Sequence, residues 1–157
     1  MLDVVKVASY ISRRYAKEYG SPIDEMKLHK LLYFTQRESL IQTDQPLFET
    51  AFQAWKYGPV IVQIRSLYKQ GKLTKRVTAK EIAPYKAIFD KVFEQYAPKD
   101  AWSLSSITHS EISWQKARAG VSAGENGDTL IDLEDIRKDA HHIKLRRYIL
   151  SHIQPAL

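Results

Sequence analysis

Asp24-Glu25-Met26-Lys27-Leu28-His29-Lys30-Leu31-Leu32-Tyr33-Phe34 is the stretch that decides how this chain folds. Its apolar positions go most of the way round a helix instead of marking one stripe, and a helix apolar on most sides is one surrounded by other elements. Asp24 supplies an N-cap, and Ser21-Pro22 separates the segment from what precedes it. The expectation is a central, buried helix. Lys27 and Lys30 lie three residues apart on one of its faces, placed to meet an acidic partner or to cap neighbouring carbonyls.

Working outward, Asp3 caps a first helix in which Val4, Val7, Ala8, Ile11 and Tyr15 recur at helical spacing, and Gly20 closes it. Thr43-Asp44-Gln45-Pro46 reads as a loop, and Phe48 to Trp55 as a loop or short extended piece. Gly58-Pro59 starts a helix, with Pro59 at its first position and Val60, Ile61, Ile64, Leu67 and Tyr68 as its core stripe up to Gly71. Lys72 to Thr78 alternates weakly, as a small edge strand would. Pro84 opens a further helix with the stripe Tyr85, Ile88, Phe89, Val92 and Tyr96, stopped before Pro98. Asp100 to Thr108 and Trp114 to Ala119 are two shorter helices, and Gly120 to Asp128 is a surface loop. Asp132 caps a segment from Leu133 onward. A final helix packs Leu145, Tyr148, Ile149 and Ile153 and projects Lys144, Arg146 and Arg147. The fold class expected is all-α: a compact helical single domain with one short β element at most.

With 157 residues the chain is long enough to bury a sizeable core. Cysteine is absent, which removes disulfides, thiolate metal sites and cysteine nucleophiles and makes the cytoplasm the default compartment. The N-terminus lacks a secretory pattern, and no stretch approaches the roughly 20 apolar residues of a membrane span, so no membrane partner is expected. A formal charge of +6 favours acidic surfaces, protein or nucleic acid.

Enzyme chemistry finds little support. No Gly-x-Ser-x-Gly elbow, His-Glu-x-x-His pair, Walker loop or Gly-x-Gly-x-x-Gly turn occurs, and each of those chemistries needs its residues at fixed spacing. His141 and His142 point about 100° apart on a helix, poor geometry for one metal, and read with His152 as solvated surface residues. His109 reads as a structural histidine in the absence of a readable catalytic partner. Glu125-Asn126-Gly127-Asp128 is a turn without the ligand pattern of a calcium loop. No catalytic residue, metal or cofactor is expected. Basic and aromatic residues interleave at Arg13, Arg14, Tyr15 and Lys17 and again at Lys144, Arg146, Arg147 and Tyr148. Both tyrosines lie on apolar stripes, so they read as core, which leaves nucleic-acid binding as an alternative resting on generic basic surface.

Several segments, in order, resemble the Panacea domain family of SocA-like and phage-associated antitoxins. Met26 to Phe34 resembles the family's Met-Lys-Leu-Gln-Lys-Leu-Leu-Tyr-Tyr helix, and Gln45-Pro46-Leu47-Phe48 its loop. Ala54-Trp55-Lys56-Tyr57-Gly58-Pro59-Val60 resembles its Ala-Trp-x-x-Gly-Pro-Val turn, and Leu104 to Trp114 its Leu-Thr-His-x-x-x-x-Trp segment. Ala117 to Gly120 with Gly124 to Gly127 is similar to its Arg-x-Gly and Gly-Glu loop. The likeness departs where His29 stands for the usual Gln, where Ile112-Ser113 replaces a pair that commonly contains Pro, and in a basic extension past the usual domain end. The division implied is a Panacea antitoxin domain at 1–140 and, packed on it, a C-terminal basic helical extension at 141–157.

The resemblance implies an antitoxin that neutralises a cognate protein toxin by direct binding and not by turnover. The alternatives are a proteolytic adaptor delivering the toxin to an AAA+ protease, as one related member does, or a nucleic-acid-binding phage-associated protein. Candidate partner-binding residues are Lys27, Lys30, Trp55, Tyr57, His109, Trp114, Lys144, Arg146, Arg147 and Tyr148. Trp55, Tyr57 and Trp114 serve either as interface anchors or as core packing. The extension is expected to choose the partner, so that deleting 141–157 removes neutralisation and leaves a cooperative fold.

Overall fold

A computed structural model describes residues 1–153; residues 154–157, the end of the expected extension, lie outside the described residues. Its centre is helix α2 (Glu25–Thr43), in which every residue from Lys27 to Ile41 is buried. Asp24 caps it, accepting the Lys27 amide at 2.8 Å. Helix α1 (Val4–Tyr19) packs Val4, Val7, Ala8 and Ile11 inward, with Asp3 accepting from the Val5 amide and Gly20 closing the helix at φ 72°. Both helices are as their caps and spacing predict.

Strands β1 (Gln53–Trp55) and β2 (Gly58–Val60) form an antiparallel hairpin that pairs Trp55 with Gly58 across the two-residue turn Lys56-Tyr57. Residues 129–131 line the hairpin's other side: the Ala54 amide donates to the Thr129 carbonyl, and the Ile131 amide to that of Phe52, each at 2.8 Å. Helix α3 follows (Val62–Lys69), then the single turn α4 (Ala79–Ile82), a 3-10 turn at Ala83–Tyr85 and α5 (Lys86–Gln95). Helices α6 (Ala101–His109), α7 (Ile112–Ala117) and α8 (Leu133–Ser151) complete a mainly helical domain.

Three expectations are corrected. Gly58-Pro59 belongs to a strand, and α3 begins only at Val62, because Gly58 sits at φ 123°, a backbone conformation outside the helical region. Residues 72–78 form no strand; they run irregularly, and the Lys75 amide donates to Ser9 Oγ on α1 at 3.2 Å instead of to a ladder partner. Pro84 lies in the 3-10 turn, so the helix expected from it starts at Lys86.

Helix α8 is fastened to the core by polar tethers. Asp139 Oδ1 and Oδ2 accept the Ile112 and Ser113 amides at 2.8 and 2.9 Å, satisfying free N–H groups at the start of α7. Arg147 donates in parallel to both oxygens of Glu38, each at 2.8 Å, although Glu38 is only 1% exposed. The helix runs unbroken across residues 140 and 141. Its buried residues are Asp135, Ile136, Asp139 and Ala140. The expected stripe Leu145, Tyr148, Ile149 and Ile153 is exposed, because no element among the described residues packs over that side of the last turns.

Arg147→Ala leaves the Glu38 carboxylate buried beside one remaining side-chain donor, Gln42. Urea denaturation is expected to register a loss of about 3 kcal/mol. Arg147→Lys recovers less than half of it, since one ammonium cannot reproduce two parallel bonds. The pair Glu38→Leu with Arg147→Met recovers most of it.

Candidate functional site

A cleft of about 260 Å³ opens between the first turns of α2, the hairpin and the start of α3, and Lys30 lies in its wall. The Lys30 side chain is 1% exposed, yet among the described residues no carboxylate comes within ion-pair distance of its Nζ. The negative charges of Asp24 and Glu25 act on it only from a distance, and burial pushes the ammonium down to about 8. Gly58 makes room for it. A Cβ on Gly58 would come within 2.7 Å of Lys30 Cε and 2.8 Å of Thr108 Oγ1.

His29 shares the cleft wall. Its Nδ1 accepts the Ile61 amide at 3.4 Å, which puts the ring proton on Nε2, and Nε2 faces Glu25 Oε2 at 3.6 Å, with no hydrogen-bond partner among the described residues. Burial, reinforced by Lys30 and Arg65, holds the imidazole neutral with its pKa lowered to about 3. Arg65 closes the opposite side; it is held by Glu25 at 2.6 Å and stacks its guanidinium 5.1 Å from the Trp55 ring centre.

The hairpin is braced from behind. Trp114 Nε1 donates to the Trp55 carbonyl at 2.9 Å, Ser105 Oγ donates to the Tyr57 carbonyl, and the His109 ring stacks on Trp114 at 4.1 Å. Arg118 donates to the carbonyls of Ala54, Ser122, Glu125 and Asn126, tying the glycine loop to the hairpin and setting Asn126 at the cleft's edge. Tyr57, 48% exposed, lines the cleft and meets the 63% exposed Trp102 edge-on at 5.4 Å.

Of the residues singled out from sequence, Lys30, Trp55 and Tyr57 meet in the cleft, and His109 and Trp114 support it from behind. Lys27 does not join them: it is buried against α1, with its Nζ 5.0 Å from the centre of the Tyr15 ring. Lys144 and Arg146 are exposed far along α8, and Tyr148 is surface instead of core at 61% exposure. Arg147 projects inward to Glu38, which also means that deleting 141–157 would strip a buried carboxylate of its partner. A second groove of about 460 Å³ carries Lys144 and His141 between α2 and α8, but its Arg137 is already bound to Asp44 and Glu134. Trp102 and Arg65 escaped the sequence reading, Arg118 entered it only as part of the Arg-x-Gly loop, and Gly58 was read as the start of a helix; the φ above zero at Gly58 is a demand that the Trp-x-x-Gly-Pro spacing hints at only as a turn.

Among the described residues the cleft presents one ammonium with no carboxylate in ion-pair reach, Lys30, beside aromatic surface. That arrangement has room and charge for an acceptor group. Lys30→Met removes a buried lone charge and is expected to stabilise the fold. The folded value near 8 lies below the unfolded 10.5, so the unfolded chain holds more protons between those values and stability rises with pH across that window. The penalty, on the order of 3 kcal/mol, is complete below pH 8 and gone above pH 10.5. The stability advantage of Lys30→Met in urea melts should therefore be largest at pH 7 and shrink by more than half at pH 10. Gly58→Ala should lose about 3 kcal/mol, from the left-handed backbone and the contact with Lys30 together.

Comparison with known proteins matches the family described as Antitoxin SocA-like, Panacea domain to residues 28–115, more than half of the chain. The match takes in Lys30, the whole hairpin, His109 and Trp114. Antitoxin SocA of Caulobacter vibrioides (strain NA1000 / CB15N) is 46% identical over 39 residues, 25% of this chain and 21% of that protein, so the aligned stretch spans about a fifth of the relative's length. No solved structure matches. A buried central helix, a Trp-x-x-Gly-Pro hairpin and the family match over them place this chain in the SocA-like Panacea domain family of antitoxins.

Proposed function

We propose that this protein is an antitoxin that neutralises a cognate protein toxin by forming a stoichiometric complex in the cytoplasm, with occlusion as its mechanism. Family membership supports the antitoxin role. The observation that carries direct binding is the end of α8, where Leu145, Tyr148, Ile149 and Leu150 are each more than half exposed. Contiguous apolar surface of this kind on a folded chain marks a binding face.

The face is held rigid. Arg147, on the inward side of the same turns, is anchored to Glu38, so the helix that carries the exposed side chains is fixed before a partner arrives and less conformational freedom is lost on binding. Lys144 and Arg146 stand exposed beside the apolar residues. The complementary partner is therefore acidic around an apolar centre. Two copies of this face would bring the same cations together across a two-fold axis, which disfavours self-association through it.

The protein is tagged in its native cells, recovered after nuclease treatment, and any captured protein is expressed alone and together with it. Occlusion expects one small partner that is toxic alone, harmless in co-expression and undiminished in amount. A toxin whose level falls only while an AAA+ protease is active would replace occlusion with adaptor delivery; recovery of nucleic acid alone would overturn the antitoxin reading. Tyr148→Glu and Ile149→Glu are expected to abolish neutralisation while leaving the thermal midpoint within about 2 °C of the parent, since both side chains already face water.

A further inference from the structure

The cleft beside the hairpin is a separate surface from the face just described, since none of its lining residues belongs to α8. Lys30 is eight residues before Glu38, where Arg147 is tethered, about 12 Å along α2 at the rise of an α-helix. What occupies the cleft is a separate question, and the answer below does not rest on the antitoxin reading.

Four observations restrict the occupant. A volume of about 260 Å³ is below the range of cofactor and drug-sized pockets and suits one side chain with the backbone that carries it. Among the described residues Lys30 is the one cation of the cleft without a carboxylate partner, because Arg65 is engaged by Glu25, so the cleft matches one negative charge and not a phosphate dianion. His29 Nε2, itself buried, lies 3.6 Å from Glu25 Oε2, so Lys30 is the donor left to the occupant, and a carboxylate is the side-chain group that brings a single negative charge to an ammonium. Beyond the mouth, Tyr57 and Trp102 form an exposed edge-to-face pair, the apolar surface that the neighbours of an anchoring side chain would cover.

We infer that this cleft is a socket for a single acidic side chain, an Asp or Glu presented by a segment of a protein partner, with its carboxylate on Lys30 and its flanking residues on Tyr57 and Trp102. Burying an ammonium with no partner destabilises the free protein, and a carboxylate delivered into the cleft removes that penalty. A side chain of the same shape presented as a neutral amide leaves the ammonium without a counter-charge, so the socket discriminates acid from amide.

The test uses the full chain, labelled with nitrogen-15, and three probes: N-acetyl-glutamate methylamide, N-acetyl-glutamine methylamide and acetate. The Gly58 amide and the Trp55 indole N–H are followed by NMR. The glutamate probe is expected to shift both saturably, about tenfold or more tighter than the glutamine probe, as expected when a charge-assisted bond is lost. Acetate should bind at least tenfold more weakly than the glutamate probe, lacking the carbon chain that fills the cleft. Lys30→Met should abolish the glutamate response. Equal affinity for glutamine, or a response that survives in Lys30→Met, would overturn the inference. Acetate binding as tightly as the glutamate probe would assign the cleft to a free small anion and overturn the protein side chain as its occupant. The comparison of acid with amide on the unaltered chain stands whatever Lys30→Met does to folding, and none of the arms requires a toxin.

Discussion

Everything in this fold hangs on the polar groups that α2 carries into the interior. A helix buried over fifteen consecutive residues, Lys27 to Ile41, has no solvent side on which to place its charges. Each charged or amide side chain must then find its partner in another element, because a buried polar group without one is costly. Glu38 takes Arg147 from α8; Arg37 takes Glu111, just before α7, and stacks on Phe34 and Tyr96; Gln36 bonds the Leu47 amide and the Phe48 carbonyl at 2.8 Å each. Tyr33 reaches Ser113 on α7 at 2.8 Å. Such pairs stabilise little relative to apolar replacements, yet an arrangement that separates them is heavily penalised, so they act on which packing is chosen more than on its depth.

Lys30 is the exception, and its setting has the marks of a site and not of a tether. Its neighbours are arranged around it without neutralising it. Gly58 yields the space a side chain would occupy, Arg65 spends its charge on Glu25, and His29 is held as a neutral donor. A chain selected for stability alone would carry a methionine or leucine there, and retention of the lone ammonium is the kind of local sacrifice that binding sites make.

How much of this could be read beforehand follows from which physics is local. The caps of α1, α2 and α6, the glycine that ends α1 and the all-round apolarity of α2 depend on residues within a few positions of one another, and sequence reveals them. The hairpin was legible only as a turn. Pro59 after a glycine is also how helices begin, and what rules that out is Lys30, 28 positions away, whose head takes the place of a Gly58 side chain. The stripe on α8 failed for a related reason: periodicity shows that a helix has an apolar face and says nothing of whether any element lies opposite it. Likewise Arg147 looked like one more surface cation, because its partner, Glu38, sits inside a segment where a carboxylate gave no sign of being buried.

The tethers of α8 are spread along α2 and α7: Asp139 holds it at the start of α7, Arg147 at Glu38 and Arg137 at Asp44. The exposed end of α8 and the Lys30 cleft are separate surfaces, since none of the residues that line the cleft belongs to α8. Both surfaces are basic, at Lys144 and Arg146 on one and Lys30 on the other, so both select acidic counterparts, in keeping with the formal charge of +6. With no shared side chain and a rigid helix between them, changes at one surface should add to changes at the other without coupling. Any partner that engages both must present two acidic features, one for each surface.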